Sequence, residues 1–285
     1  MNPFSQAEAE IYFPDLTKSD LSKTTHLGIG AHQDDLEMLA LHGILTAYDD
    51  PQAAFTGVTV TDGRGAPRTG PYADITDDGL RAVRFEEQKA AARIGKFQAQ
   101  IFLDYPSKDV KFGNRHQVVE DLKTILQATQ PEVIYTHNLA DKHDTHVAVA
   151  LAVLAACRES SSLTKGSKIY GCEVWRGLDW LPDDQKVALD VSAHPEFQEE
   201  LLAVYKSQIA GGKRYDLAAV GRNLANATFY QSHVTDQANR MVYAMDLTPL
   251  VRDPEINISS FVDAFIQNLA DNVRDRIESL GPHPE

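Results

Sequence analysis

The sequence predicts an α/β protein: a mostly parallel sheet flanked by helices, with a C-terminal elaboration. Two observations carry this expectation. Short apolar runs alternate with stretches of helical periodicity between about residues 24 and 175, the pattern of βαβ units. In addition, a polar cluster follows each of several runs, as expected where ligands sit outside the carboxyl ends of parallel strands.

The first run, residues 24–31, ends in small residues and is followed by helical periodicity at Leu36, Leu39, Ala40 and Leu45. A second run, 54–61, meets the loop Asp62-Gly63-Arg64-Gly65-Ala66-Pro67, whose glycines and proline stop regular structure. A helix is predicted over 77–93, a strand over 101–103, a helix over 118–128 and a strand over 133–136. Next come a helix over 146–157 and a strand over 169–173. Beyond Trp175 the pattern weakens to a strand at 187–191, a helix at 195–206 and a terminal amphipathic helix at 261–277. With no repeat, low-complexity tract or linker, residues 1–285 read as a single domain, with a core over about 24–175 and the elaboration over about 176–285.

Composition narrows the function. Lys and Arg number 27 against 41 Asp and Glu, a formal net charge of −14, and no basic run exceeds Lys213-Arg214. Binding to nucleic acid or anionic lipid rests on clustered cations, so neither is an expected partner. Two cysteines, Cys157 and Cys172, are too few for a disulfide framework and lack zinc-knuckle spacing. The first twenty residues lack the signal-peptide pattern, and no run approaches the roughly 18 apolar residues of a membrane span. The expectation is a cytoplasmic protein acting on a small molecule, with a homo-oligomer left open.

Two clusters offer chemistry. The first, His32-Gln33-Asp34-Asp35-Leu36-Glu37, lies between a strand end and a helix start. Taken alone, Asp34 or Asp35 reads as a helix N-cap. The second, His137 to His146, holds three histidines and two aspartates in the same kind of position. That points to a metal or proton-transfer site, and His143 and His146, three apart, can face one cavity if a helix begins near them. Together the clusters offer His32, Asp35 and His146 as ligands, the three protein donors a hydrolytic zinc needs beside an open position. Asp34 is then free to act as general base, and His143, if protonated, to stabilise an oxyanion or protonate a leaving group.

His32-Gln33-Asp34-Asp35-Leu36-Glu37 resembles the His-Pro-Asp-Asp-x-Glu signature of the PIG-L/LmbE-like N-acetylglucosaminyl deacetylases, and His143-Asp144-Thr145-His146 resembles their His-x-x-His motif. The resemblance runs from about Leu27 to about Leu154, including Thr61-Asp62-Gly63, Arg84 and Glu87. It implies a Rossmann-like fold and zinc-dependent hydrolysis of an N-acetyl group, usually on a sugar. By position, His32, Asp35 and His146 become the Zn2+ ligands, Asp34 the base and His143 its electrostatic or acid partner. Gln33 stands where the family usually has proline.

Other candidates are substrate contacts. Arg64 and Arg68 could meet sugar hydroxyls or a carboxylate, although exposed arginines are ordinarily just solvated. Asp104 and Tyr105 stand at a strand end, and Asp62 either contacts substrate or orients a histidine. Trp175 and Trp180 read as core or as sugar-stacking surfaces, and Gln208–Tyr215 as a surface turn or a glycine-hinged loop over substrate. Glu37 supports either the site or the helix dipole.

Three rivals remain. A two-histidine, one-carboxylate iron oxygenase shares the donor set but not the alternating helices. A dinucleotide enzyme needs a glycine where Gln33 stands. A catalytically inactive sugar-binding protein has no use for Asp34.

Overall fold

The computed structural model describes residues 3–113 and 115–281. Strand β1 (Glu10–Tyr12) precedes β2 (His26–Gly30), which leads through the first cluster into the short helix α1 (Leu36–Leu39) and then α2 (Leu41–Asp49). The periodicity predicted as one helix is thus broken at Ala40, whose backbone leaves helical geometry (φ −114°, ψ 15°). Strand β3 (Phe55–Thr61), helix α3 (Asp77–Ile94) and strand β4 (Ala99–Tyr105) follow. Helix α3 starts where Thr76 accepts the Gly79 N–H, with Asp77 and Asp78 complementing the helix dipole.

Helices α4 (Ser107–Phe112) and α5 (Arg115–Thr129) lead to β5 (Val133–His137), α6 (Asp144–Glu159), α7 (Ser161–Thr164) and β6 (Lys168–Cys172). The elaboration comprises β7 (Val187–Asp190), α8 (Pro195–Ala203), α9 (Lys206–Ala210), α10 (Tyr215–Phe229), β8 (Met241–Asp246), α11 (Thr248–Arg252) and α12 (Ile258–Leu280).

These strands form one eight-stranded sheet ordered β1-β4-β3-β2-β5-β6-β8-β7. The five strands from β4 to β6 are mutually parallel, whereas β1 and β8 run antiparallel to their neighbours β4 and β6. The fold is the α/β one the sequence predicts. Strand β8, which that reading passed over, inserts between β6 and β7, so the C-terminal elaboration extends the same sheet.

Alternation along the strands divides the core. Leu27, Ile29, Val58 and Ile101 face the layer of α5 and α6, while Phe55, Tyr135 and Cys172 face α1, α2, α3 and α8. On that second face Gly28 leaves room for α1: a Cβ there would lie 2.7 Å from Phe55 and 3.0 Å from Ala40.

The chain leaves β2 toward β3 and β4 on one side, then returns to place β5 and β6 on the other. The order therefore reverses between β2 and β5, where the loops at the carboxyl ends diverge and leave a crevice. The first cluster follows β2 and the second closes β5, so the topology itself brings them together.

Candidate metal centre

Asp35 occupies the N-cap position of α1 but makes no side-chain capping bond. Its Oδ2 instead accepts the His32 N–H (2.6 Å) and lies 3.3 Å from His32 Nδ1, while its Oδ1 lies 3.5 Å from His146 Nε2. His32 Nδ1 and His146 Nε2 are 3.2 Å apart. The simple N-cap reading of Asp35 therefore does not hold.

These separations test the fit of a metal. Ligands about 2.1 Å from a tetrahedral ion stand about 3.4 Å from one another. The 3.2 Å between the two imidazole nitrogens is close to that edge, and the 3.3 and 3.5 Å run from them to the two different oxygens of Asp35. Two further histidines crowd the same place: His32, His143 and His146 form one group of convergent donors, and Asp35, His137 and His146 another.

His137 was noted in the sequence only as a member of its cluster, and its environment is specific. Its Nε2 accepts the Ala31 N–H (2.9 Å) while lying 3.3 Å from Asp35 Oδ2. A lone pair engaged by an amide is not free for a metal, so His137 pins the β2 exit and stacks on His146 with ring centroids 3.8 Å apart.

Helix α6 sets the other side. His143 is its N-cap residue and His146 lies in its first turn, so both face the crevice. Asp141 organises them: Oδ1 accepts the His143 N–H (2.9 Å) and stands 3.6 Å from His146 Nδ1, and Oδ2 accepts the Trp175 N–H (3.0 Å). A carboxylate facing Nδ1 favours the proton on that nitrogen and so Nε2 as the free donor. The carboxylate oriented toward the histidines is therefore Asp141, whereas Asp62 binds Arg64.

Electrostatics follow burial. Desolvation pushes the Asp35 carboxyl up, but His146 and His137 outweigh it and hold it well below the usual range. Asp34 goes well above that range because burial dominates; Arg84, 3.6 Å away, opposes the rise, and Asp35, Glu37 and Glu87 add to it. Burial, with His146 and His32 nearby, draws His143 down to about 4, so it stands neutral at pH 7. Burial also takes Glu37 up to about 7, even though it accepts the Gln88 amide N–H (2.9 Å).

Asp34 has φ +97°, a conformation that costs a non-glycine residue on the order of 1–3 kcal/mol and persists only when its surroundings impose it. Those surroundings are visible. Arg84 donates to the Gln33 carbonyl (2.6 Å), Gln33 Nε2 donates to the Thr61 carbonyl (3.1 Å), and the Asp34 N–H reaches Gln88 Oε1 (3.4 Å). Gln33 thus anchors the loop to β3 by a hydrogen bond, where a proline would restrict it covalently.

The predicted substrate contacts divide. Asp62 takes the Arg64 N–H and guanidinium (3.1 and 2.9 Å), and Asp104 pairs with Arg81 (2.6 Å) and Arg64 (3.8 Å). Arg68 pairs with Asp77. These groups hold one another at the ends of β3 and β4. Tyr105 requires correction as a substrate contact: it is fully buried, packs in the core and donates to Asp121 (2.7 Å). Asp104, with a left-handed backbone (φ +60°), turns to Arg81, while Tyr105 turns into the core.

A residue missing from the predicted site comes from far along the chain. Tyr215 opens α10, is half-buried, and interacts electrostatically with Asp34 and Asp35. Its ring packs edge-on to Trp175 (6.0 Å), which lies 6.3 Å from His143. A cleft of 1020 Å³ lies instead at the amino ends of β3 and β4 and contains none of these residues.

Fold and site thus define an α/β protein with a histidine-aspartate centre at the point where its strand order reverses. Residues 27–157 match the family model PIG-L, GlcNAc-PI de-N-acetylase, and the chain carries that domain. Among solved structures it is similar to the N,N'-diacetylchitobiose deacetylase of Pyrococcus horikoshii, at 17% identity and TM-score 0.60 over 84% of this chain and 91% of that one. The A40926 pseudoaglycone deacetylase Dbv21 is similar at 19% identity and TM-score 0.57, over 79% and 97%. So is the 4-carboxy-2-hydroxymuconate hydratase GalB of Pseudomonas putida, at 16% and 0.56, over 78% and 95%. At these identities the likeness is one of fold, and a hydratase among the neighbours means that the reaction must be argued from the site.

Proposed function

We propose that the protein is a zinc-dependent N-deacetylase that removes the acetyl group from a small, sugar-containing amide. The observation that carries this reading is the convergence of His32 Nδ1, Asp35 and His146 Nε2 at 3.2–3.5 Å, with Asp34 adjacent in sequence to one of them. The PIG-L match over 27–157 supports the amide as substrate.

His32, Asp35 and His146 would hold the ion, which when bound supplies Lewis acidity toward an amide carbonyl and a water. Asp34, held by its loop beside that centre, takes the proton from the attacking water as the new C–O bond forms. Neutral His143, at the head of α6, offers a hydrogen bond to the carbonyl oxygen as negative charge develops on it. Cleavage of the C–N bond then releases acetate and the amine, the latter taking the proton that Asp34 received from the water. Asp141 positions both histidines, and His137 fixes the β2 exit. Residues 1–285 are read as one unit, which is supported by β8 joining the sheet of the PIG-L domain.

A hydratase reading is favoured only by the fold of one neighbour. Acetate release from a panel of N-acetylated sugars separates the two. Zinc-loaded protein is expected to release acetate, chelator-treated protein to lose the activity, and Asp34→Asn to lower kcat roughly 10²–10⁴-fold with zinc content retained. Release unaffected by either change would overturn the reading.

A further inference from the structure

Beside the reaction centre lies a second cavity, of 260 Å³. Its walls come from three distant segments: Met38 after the first cluster, Val174 and Trp175 after β6, and Lys213, Tyr215 and Arg222 around the start of α10. Trp175 belongs to both places, since its backbone N–H is held by Asp141, the same carboxylate that positions His143. We infer that this cavity binds the part of the substrate beyond the acetylated sugar, and that it takes a ring-sized group with an apolar face and an anionic end. The assignment rests on the deacetylase reading for which end of the substrate reacts.

Size is the first argument. At about 30 Å³ per water the cavity has room for roughly eight waters, enough for one ring and too little for a chain of them. Chemistry is the second. Met38, Val174, Ala218 and Ala219 supply an apolar surface, and Trp175 and Tyr215 meet at 82°, offering two aromatic walls to a flat group.

Charge is the third argument and selects the anion. On a chain of net charge −14, this cavity is lined by Lys213, Arg214 and Arg222 and by no acidic residue. Arg214 is already paired with Asp216 (2.7 Å), and Arg222 donates to the Val174 carbonyl. Lys213 has no carboxylate within salt-bridge distance among the described residues. Its Nζ lies 5.1 Å from the centre of the Trp175 ring. A cation–π contact at an exposed site is worth only about 0.5–1 kcal/mol, which leaves the ammonium free to meet an anion. Gly212, at φ +81°, allows the sharp turn that carries Lys213 over the ring.

The test compares kcat/KM for phenyl and 4-carboxyphenyl β-glycosides of N-acetylglucosamine, and for N-acetylglucosamine with and without a 1-phosphate. In the wild type at least one anionic substrate is expected to exceed its neutral counterpart about tenfold, and the arm that does so distinguishes carboxylate from phosphate. That ratio should collapse in Lys213→Met and survive in Lys213→Arg. A wild-type ratio near one in both arms, or a ratio unchanged in Lys213→Met, would overturn the inference. If no sugar releases acetate, the deacetylase reading fails and calorimetry decides the cavity separately. Tighter binding of the 4-carboxyphenyl than the phenyl glycoside, lost in Lys213→Met, supports the subsite, and equal affinities overturn it.

Discussion

Asp141 accepts the His143 N–H through one oxygen and the Trp175 N–H through the other, so one carboxylate ties the head of α6 to the segment after β6. His146 and the His143 N–H hold it at about 2 although burial pushes it upward, so it is a full anion at neutral pH. Neutralising it removes the negative charge that faces His146 Nδ1 at 3.6 Å. Asp141→Asn is expected to weaken zinc binding about 10–100-fold with the fold intact by circular dichroism. Competition against a chromophoric chelator measures this, and unchanged affinity would count against the proposed ligand geometry. The role was only half legible. Asp141 stands in the sequence among the three histidines of its cluster, but nothing local says whether it or Asp62 orients them. That depends on which loop turns toward the crevice. Tyr105 is a second such case, since the predicted strand stops at 103 and the left-handed backbone of Asp104 (φ +60°), which sets where the two side chains go, is not written in the local pattern.

Elements meet where small residues permit. Helix α1 is one turn long and could not persist by itself, because a helix nucleus is costly and most helical stability comes from packing. It is held against β2, with Leu36, Leu39 and Ala40 all fully buried. Gly28→Ala forces a methyl into that contact and is expected to cost about 1–3 kcal/mol, read as a lowered urea midpoint at unchanged m-value. A midpoint equal to the wild type would show that α1 can shift outward, and activity should then fall instead, because Asp34 and Asp35 lead into this helix. Helix α9 is tethered similarly: the Glu87 carboxylate of α3 accepts the Ser207 N–H (2.7 Å) and hydroxyl (2.6 Å), drawing the C-terminal elaboration over the first cluster. Periodicity made α3 readable over its whole length. It could not reveal α10, whose first residue, Tyr215, matters through packing against Trp175.

For the molecule as a whole, the proposed function links metal and stability. Two imidazole nitrogens 3.2 Å apart beside a buried carboxylate form a preorganised donor set that the unfolded chain lacks, so an ion that binds it stabilises the native state by mass action. At a hundredfold excess over Kd that amounts to about 2.7 kcal/mol, a rise in Tm of about 5 °C or more for a chain of this size. Thermal melts with zinc and with chelator test this, with His146→Ala as control, in which the zinc-dependent rise should vanish. Among the described residues no helix is long and apolar enough to cross a membrane.

The sequence by itself determined the α/β architecture, the two clusters and the types of donor they contain, because strand and helix periodicity and motif spacing are local properties of the chain. Tertiary structure decided the rest. Strand order placed the end of β2 beside the end of β5 and so made one centre of two motifs. Hydrogen bonding decided which lone pairs remain available, committing His137 to the Ala31 amide. Long-range packing brought Trp175, Lys213 and Tyr215 to the flank of the centre, because contacts between residues so far apart in sequence are set by the sheet and its covering helices, not by spacing.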